Sequence, residues 1–234
     1  MALIKPSVDL SANVLRITAP KQPDLILPLD RLASTFTTNV RVCSDHVRVL
    51  STCPAADAWF STFLDVDCVL SRVATGANRH GHFEPFPHSV PILLSNESPF
   101  LLISRPSADQ VDSWISEDHR SAVPTPPIDP SCFRGNFVVA SLNHLPLPPF
   151  HEDAVERIEI GSESFDVLAR CRRCLMVCVD QETGTRVKSN EPFNTLARKR
   201  RSEKGRIEFG VHLLWRERIG GRVKVGDRVR LVRK

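Results

Sequence analysis

The sequence predicts a mainly β protein with a few helices, an α+β fold whose later part is a closed or half-closed barrel. Three observations predict it. Apolar and polar residues alternate with a period of two in several short segments. Turn signals recur between those segments, at Gly161-Ser162, Gly184, Gly220-Gly221 and Gly226-Asp227. Helical spacing appears in only three stretches.

The elements follow in order. Val8, Leu10, Ala12 and Val14 alternate, the phase slips at Leu15 and Ile17, and Leu25 to Leu27 form a second apolar run. Two strands joined by the turn APKQPD fit this pattern. Asn39 to Leu50 alternates again and reads as one strand. Pro54 to Leu64 has helical spacing, with Ala55, Trp59, Phe60 and Phe63 on one face and proline in the first turn. Cys68 to Val73 reads as a short strand, and residues 74–91, with Gly76, Gly81 and three prolines, as a loop that holds a domain seam. Phe100 to Ile103 is a strand, and Ser107 is the expected N-cap of a helix over SADQVDSWISED. Residues 119–130 form a proline-rich loop. Further strands are expected at Asn136–Ser141, Val155–Ile160, Ser164–Leu168, Cys174–Val179, Ile207–Leu214 and Arg228–Val232, with one helix at Glu191–Lys204.

With 234 residues the chain can bury a sizeable core without disulfide staples. A net charge of +4 is too weak to point to nucleic acid. No run is long and apolar enough for a membrane-spanning helix, and the start, MALIKPSVDL, lacks the pattern of a secretory signal. An odd number of cysteines, seven, then suits a reducing compartment, the cytoplasm.

Three of those cysteines, Cys171, Cys174 and Cys178, lie within ARCRRCLMVCVDQETG, residues 169–184. Cys171-x-x-Cys174 could be half of a structural zinc site, but no second Cys/His pair stands at knuckle spacing; His80 and His82, or His144 and His151, would have to be recruited in space. A thioredoxin-type redox pair would open a helix in a βαβ unit, and no such alternation surrounds it. A single thiolate could instead ligate a soft metal, its acidity raised by Arg170, Arg172 and Arg173. Against all three stands the reading of Cys171 and Cys178 as small buried apolar residues. If residues 174–179 form a strand, Cys174 and Cys178 face the same way and periodicity does not separate them.

The same segment resembles the signature of the MOSC domain, found at the C-terminus of eukaryotic molybdenum cofactor sulfurases. Ser131-Cys-Phe-Arg-Gly-Asn-Phe-Val-Val resembles the family's Arg-Phe-Arg-x-Asn-Ile-Val segment, and Glu97-Ser-Pro-Phe-Leu-Leu-Ile the strand upstream of it. Glu191-Pro-Phe-Asn-Thr-Leu, Phe209-Gly210 and Val225-Gly226-Asp227 resemble the family's C-terminal half. Ile17-Thr-Ala-Pro, Val42-Cys-Ser-Asp-His-Val and Trp59-Phe-Ser-Thr-Phe-Leu are similar to the β-barrel domain that precedes it. The resemblance implies an N-terminal MOSC β domain over 1–85, its front part missing, and a MOSC barrel over 86–234.

It also implies a site. MOSC domains bind the molybdenum cofactor, a molybdopterin. The cysteine that ligates molybdenum in the amidoxime-reducing relatives matches Cys174, and the arginine before it matches Arg173. Arg134 and Asn136 match residues that hold the pterin's phosphate and polar edge, Ser98 matches a further contact, and Arg200 matches a recurrent arginine near the anionic end. A dianionic phosphate suits a bidentate arginine fork and neutral donors. The basic run Arg198 to Arg201 otherwise reads as a nuclear-localisation patch or a solvated helix face.

The implied function is to hold the cofactor for sulfuration. Xanthine dehydrogenase and aldehyde oxidase would be the recipients. A cysteine desulfurase-type domain or protein would donate the persulfide. The pyridoxal phosphate that such a domain carries is expected only in a partner or a missing N-terminal domain. The alternatives are an N-reductase of the amidoxime-reducing type and a non-catalytic cofactor carrier.

Overall fold

The computed structural model describes residues 1–30, 37–76, 78–83, 89–118, 127–142, 145–217 and 220–233. They fall into two compact units, Met1–Arg79 with Gln181–Gly184, and His80–Asp180 with Thr185–Lys234. The expected seam between 85 and 86 and most of the loop at 119–130 lie outside the described residues.

The first unit holds two three-stranded antiparallel sheets and a helix. Strands β1 (Lys5–Asp9), β2 (Val14–Thr18) and β3 (Leu25–Pro28) form one sheet in that order. The phase slip read from Val14 to Leu15 therefore reflects a hairpin between β1 and β2, not a bend within one strand. Asp9 Oδ1 accepts from the Ser11 and Ala12 amides at 2.9 and 3.0 Å, and Asn13 takes a positive φ of 55°, so the chain reverses within four residues. Strands β4 (Thr37–Val42), β5 (Asp45–Ser51) and β6 (Ser71–Val73) form the second sheet. The single strand expected over 39–50 is likewise folded in two, at Cys43 (φ 56°) and Ser44. Between β5 and β6, helix α1 (Pro54–Leu64) begins on proline, as expected, and ends on left-handed Asp65. Ala56 rather than Ala55 is its buried alanine, together with Trp59, whose Nε1 donates to the Pro23 carbonyl at 2.6 Å.

In the second unit a two-residue pair, β7 (His80–Gly81) with β8 (Val90–Pro91), lies in the stretch read as loop. There follow β9 (Phe100–Ser104), α2 (Arg105–Asp118), β10 (Phe137–Val139), β11 (Val155–Ile160), β12 (Glu163–Arg172), α3 (Phe193–Lys199), β13 (Glu208–Trp215) and β14 (Val229–Arg233). Six strands make one sheet in the order β10-β9-β13-β12-β11-β14, parallel only between β9 and β10. The mainly β, α+β class is the one the alternation predicted, and the sheet is a curled half-barrel. Ser107 is not the cap of α2. It is buried inside the first turn, and its amide points to Ser104 Oγ at 3.4 Å. No helix among the described residues is long and apolar enough to cross a membrane.

One correction decides where the site lies. The strand expected at Cys174–Val179 is a 3-10 turn, Leu175–Cys178. Val177 and Cys178 are buried in a core shared with Val111 and Ile115 of α2, Leu196 of α3, Ile103, Phe133 and Phe209. The remaining apolar residues of the run, Leu175 and Met176, are 41% and 49% exposed. Burial of two adjacent residues, with two before them left out, is the signature of a turn and not of an alternating strand.

Candidate functional site

Strand β12 delivers the cysteine segment by pairing with β13. The register slips between Arg170 and Arg172, which oppose Val211 and Glu208. The extra β13 residue is absorbed by a bulge at Phe209-Gly210, where Gly210 has φ +73°. A Cβ there would stand 2.7 Å from the Leu102 carbonyl oxygen and 2.9 Å from Ile103 Cγ2, so no other residue fits without movement. The Arg173 amide donates to the Ile207 carbonyl at 2.8 Å, the last such tie before the chain leaves the sheet. Cys174 follows in extended conformation and starts the turn.

The turn separates the three cysteines. Cys174 is exposed, whereas Cys171 and Cys178 are buried. Cys178 donates to the Asn190 carbonyl at 3.2 Å, and burial pushes its thiol pKa up. Cys132, also half-buried, is pushed up to about 12 by burial and is no thiolate. Among the described residues no three His, Cys, Asp or Glu side chains come together to hold a metal. Cys174 is therefore the one member of the cluster that presents sulfur outward.

Arg173 clamps two loops. Its Nε donates to the Phe209 carbonyl at 2.8 Å and its Nη1 to the Phe133 carbonyl at 2.9 Å. The guanidinium carbon stands 5.5 and 5.8 Å from the centroids of those two rings, which stack at 4.0 Å. Nη2 is buried and has no partner, and it would lie 3.3 Å from a Cβ on Gly210. Burial lowers the Arg173 pKa, while nearby thiols and Glu97 oppose that shift.

The clamp ties Arg173 to the loop that bears Arg134 and Asn136. Arg134 has a left-handed backbone (φ 57°) after the 3-10 turn Pro130–Phe133, and its exposed guanidinium has no partner among the described residues. Asn136 is locked to β9: its amide donates to the Leu101 carbonyl at 2.8 Å, and its Oδ1 accepts from the Leu101 amide at 2.9 Å. Gly135 lies between them, where a Cβ would press on Ile103 at 3.0 Å.

Ser98 and Arg200 are placed differently. Ser98 Oγ donates to the Phe100 carbonyl at 2.7 Å and meets His212 Nδ1 at 2.6 Å. Arg200 pairs with Asp153, donates to the Glu208 carbonyl at 3.3 Å and lies 4.3 Å over the Phe150 ring. None of its hydrogen bonds reaches the other candidates.

Sequence reasoning missed the group behind Ser98. His212 Nε2 lies 2.9 Å from Glu97 Oε2, and Glu97 Oε1 is 2.6 Å from Arg172 Nη2. The hydrogen bond from His212 holds the Glu97 carboxyl below its ordinary pKa, with Arg172 adding to the effect. Burial alone would lower the His212 pKa, but Cys171 and Glu97 against the ring outweigh it and raise the value to about 9. The signal was a lone histidine in the apolar run Val-His-Leu-Leu-Trp of β13, on the face opposite Val211 and Leu213.

The sequence model of the MOSC domain matches residues 89–230. The chain is 38% identical to a molybdenum cofactor sulfurase of Aspergillus niger, over 91% of this chain and 31% of the relative. It is 38% identical to one of Aspergillus oryzae, over 91% and 30%, and 36% identical to one of Aspergillus terreus, over 98% and 34%. The chain thus spans about a third of the length of these curated relatives.

Proposed function

The chain belongs to the MOSC domain family, and we propose that its second unit is a MOSC domain that binds the molybdenum cofactor for sulfuration, with the first unit as the MOSC N-terminal β domain. One observation carries this reading. An exposed thiol, Cys174, directly follows a buried guanidinium with an unspent donor, Arg173 Nη2, and Arg173 is bonded to the loop of an unpartnered arginine, Arg134. A thiol beside unsatisfied cationic donors suits a ligand with a soft metal at one end and an anion at the other.

In this reading Cys174 ligates molybdenum, Arg134 and Arg173 Nη2 bind the anionic part, and the free Nδ2 of Asn136 donates to the polar edge. Ligation requires a thiolate, and the exposed position of Cys174 leaves its sulfur open to a ligand. The bulge at Gly210 keeps the approach to Arg173 open. Arg200, committed to Asp153, braces the strand end behind Glu208. The cofactor, when bound, supplies the metal centre that takes up the terminal sulfur.

A pyridoxal-phosphate cysteine desulfurase-type domain or protein would donate the persulfide, and xanthine dehydrogenase or aldehyde oxidase would receive the product. The name of the relatives, molybdenum cofactor sulfurase, supports this assignment. The test is expression of the chain in a host that makes molybdopterin, followed by measurement of bound molybdenum and pterin. Cys174→Ala should lose molybdenum, and Arg134→Ala should lose pterin. Equal occupancy of both variants and the native chain overturns the reading.

A further inference from the structure

The hydrogen bonds around His212 can be counted proton by proton. A serine hydroxyl has one proton. Ser98 spends it on the Phe100 carbonyl, which can only accept. The 2.6 Å contact between Ser98 Oγ and His212 Nδ1 therefore needs a proton on Nδ1. At the other side of the ring, Glu97 is an ionised carboxylate already accepting from Arg172, so Nε2 must donate as well. By this count we infer that both ring nitrogens carry protons, so that the imidazolium is built into the hydrogen-bond pattern. The ring is 6% exposed, packed against Phe83 and beside Cys171, and the charged groups that face it are Glu97 and, through it, Arg172.

We propose that His212 is a positioning residue of the cofactor site: as an imidazolium it makes Ser98 a hydrogen-bond acceptor only, and through Glu97 it fixes Arg172 beside the Cys174 turn. This rests on the reading of Cys174 and its neighbours as that site. Its consequence is a division of labour the residue types alone do not reveal. Ser98 has no proton left for a phosphate or any other anion. It can meet only a ligand group that brings its own proton, such as an N–H of a pterin ring. Anion binding falls to Arg134 and Arg173.

Two substitutions split the two functions of the ring. An asparagine amide nitrogen stands near Nδ1, and a glutamine amide nitrogen near Nε2. His212→Asn keeps the donor to Ser98. His212→Gln keeps the donor to Glu97 and frees Ser98 to turn its proton elsewhere. The full chain, expressed in a molybdopterin-making host, is assayed for pterin by fluorescence after oxidation and for molybdenum by elemental analysis. Ring ¹⁵N NMR of the native chain at neutral pH reports its protonation.

The expected result is a doubly protonated ring. His212→Gln should lower pterin affinity about fivefold, the scale of one hydrogen bond, and His212→Asn should recover the larger part. A ring with one proton overturns the proposal, whether or not the variants fold. So does pterin content that is the same in the native chain and both variants while Cys174→Ala still loses molybdenum. If Cys174→Ala and Arg134→Ala also keep full occupancy, the site reading itself has failed.

Discussion

Arg173 offers the sharpest separation of a ligand contact from a structural clamp. If it served only a bound anion, Arg173→Ala would leave the ligand-free protein as stable as before. The structure says otherwise. The substitution strips the partner from two carbonyls, of Phe133 and Phe209, whose residues are fully buried. Each acceptor left without a donor costs about 1–3 kcal/mol. Loss of the cation over two stacked rings adds about 1 kcal/mol. In the opposite direction, the variant removes a desolvated cation, the cause of the lowered Arg173 pKa, and that relief offsets part of the loss. The two acceptors and the ring contact together come to about 3–7 kcal/mol before that offset, so the loss should be at least about 2 kcal/mol, or at least about 4–8 °C in Tm for a chain of this size. Arg173→Lys should fall between, since one ammonium cannot reproduce a fork that reaches two carbonyls. The assay is thermal unfolding of protein made without molybdopterin, so that no ligand contributes. A Tm within about 1 °C of the native value would refute the clamp and leave Arg173 as a ligand contact alone.

Three further outcomes follow from the same packing. Gly210→Ala forces a side chain into left-handed backbone against the Leu102 carbonyl, and it should cost about 2–4 kcal/mol in urea unfolding, most of it from the 2.7 Å approach. His212 has a folded pKa of about 9 against an ordinary 6.5, so its contribution is fully present below about pH 6.5 and is lost as pH rises through about 9. The ceiling of that loss is about 3 kcal/mol at about 1.4 kcal/mol per unit, and the difference between native and His212→Asn stability should shrink over this interval. Glu152 is fully buried with Oε2 unpartnered, and burial raises its pKa. A carboxyl of this kind stabilises at low pH and ceases to do so as pH rises through its folded pKa, so Glu152→Gln, which still accepts from Ser107 Oγ, should not lower the Tm at pH 8.

The fold was legible wherever a single force set the pattern. Strands β11 and β14 alternate because one sheet face meets the core, β9 and β13 run apolar because both of their faces are covered, and α1 shows its proline start and its aromatic face. Reversals were legible where glycine or proline marked them, as at the APKQPD turn between β2 and β3. The hairpins at Asp9–Asn13 and Cys43–Ser44 turn on left-handed Asn13 and Cys43, and nothing in a run of alternating residues distinguishes such a turn from a change of phase. Ser107 looked like a cap because serine before a polar helix usually is one. Its hydroxyl instead donates to Glu152 and accepts from the Phe150 amide, partners 45 and 43 residues away that no local pattern reports.

The candidate site divides along the same line. Cys174, Arg134 and Asn136 were singled out by the resemblance of their segments to the MOSC signature, and such segments are local features of the chain. Which of three cysteines faces outward could not, because that depends on whether LMVC is a strand or a turn. The tertiary core decided it: α2 and α3 offer a pocket for two adjacent side chains, Val177 and Cys178, and a strand can offer only alternate ones. The turn that results exposes the sulfur four residues before Cys178, so the packing of Cys178 is a cause of the exposure of Cys174. His212 was hidden for the complementary reason. It lies in β13 between Val211 and Leu213, and only the fold shows that its partners come from residues just before β9, more than a hundred positions upstream. His212 on β13 and Arg172 on β12 are thus bridged by Glu97, and Arg172 ends the strand that leads into the Cys174 turn.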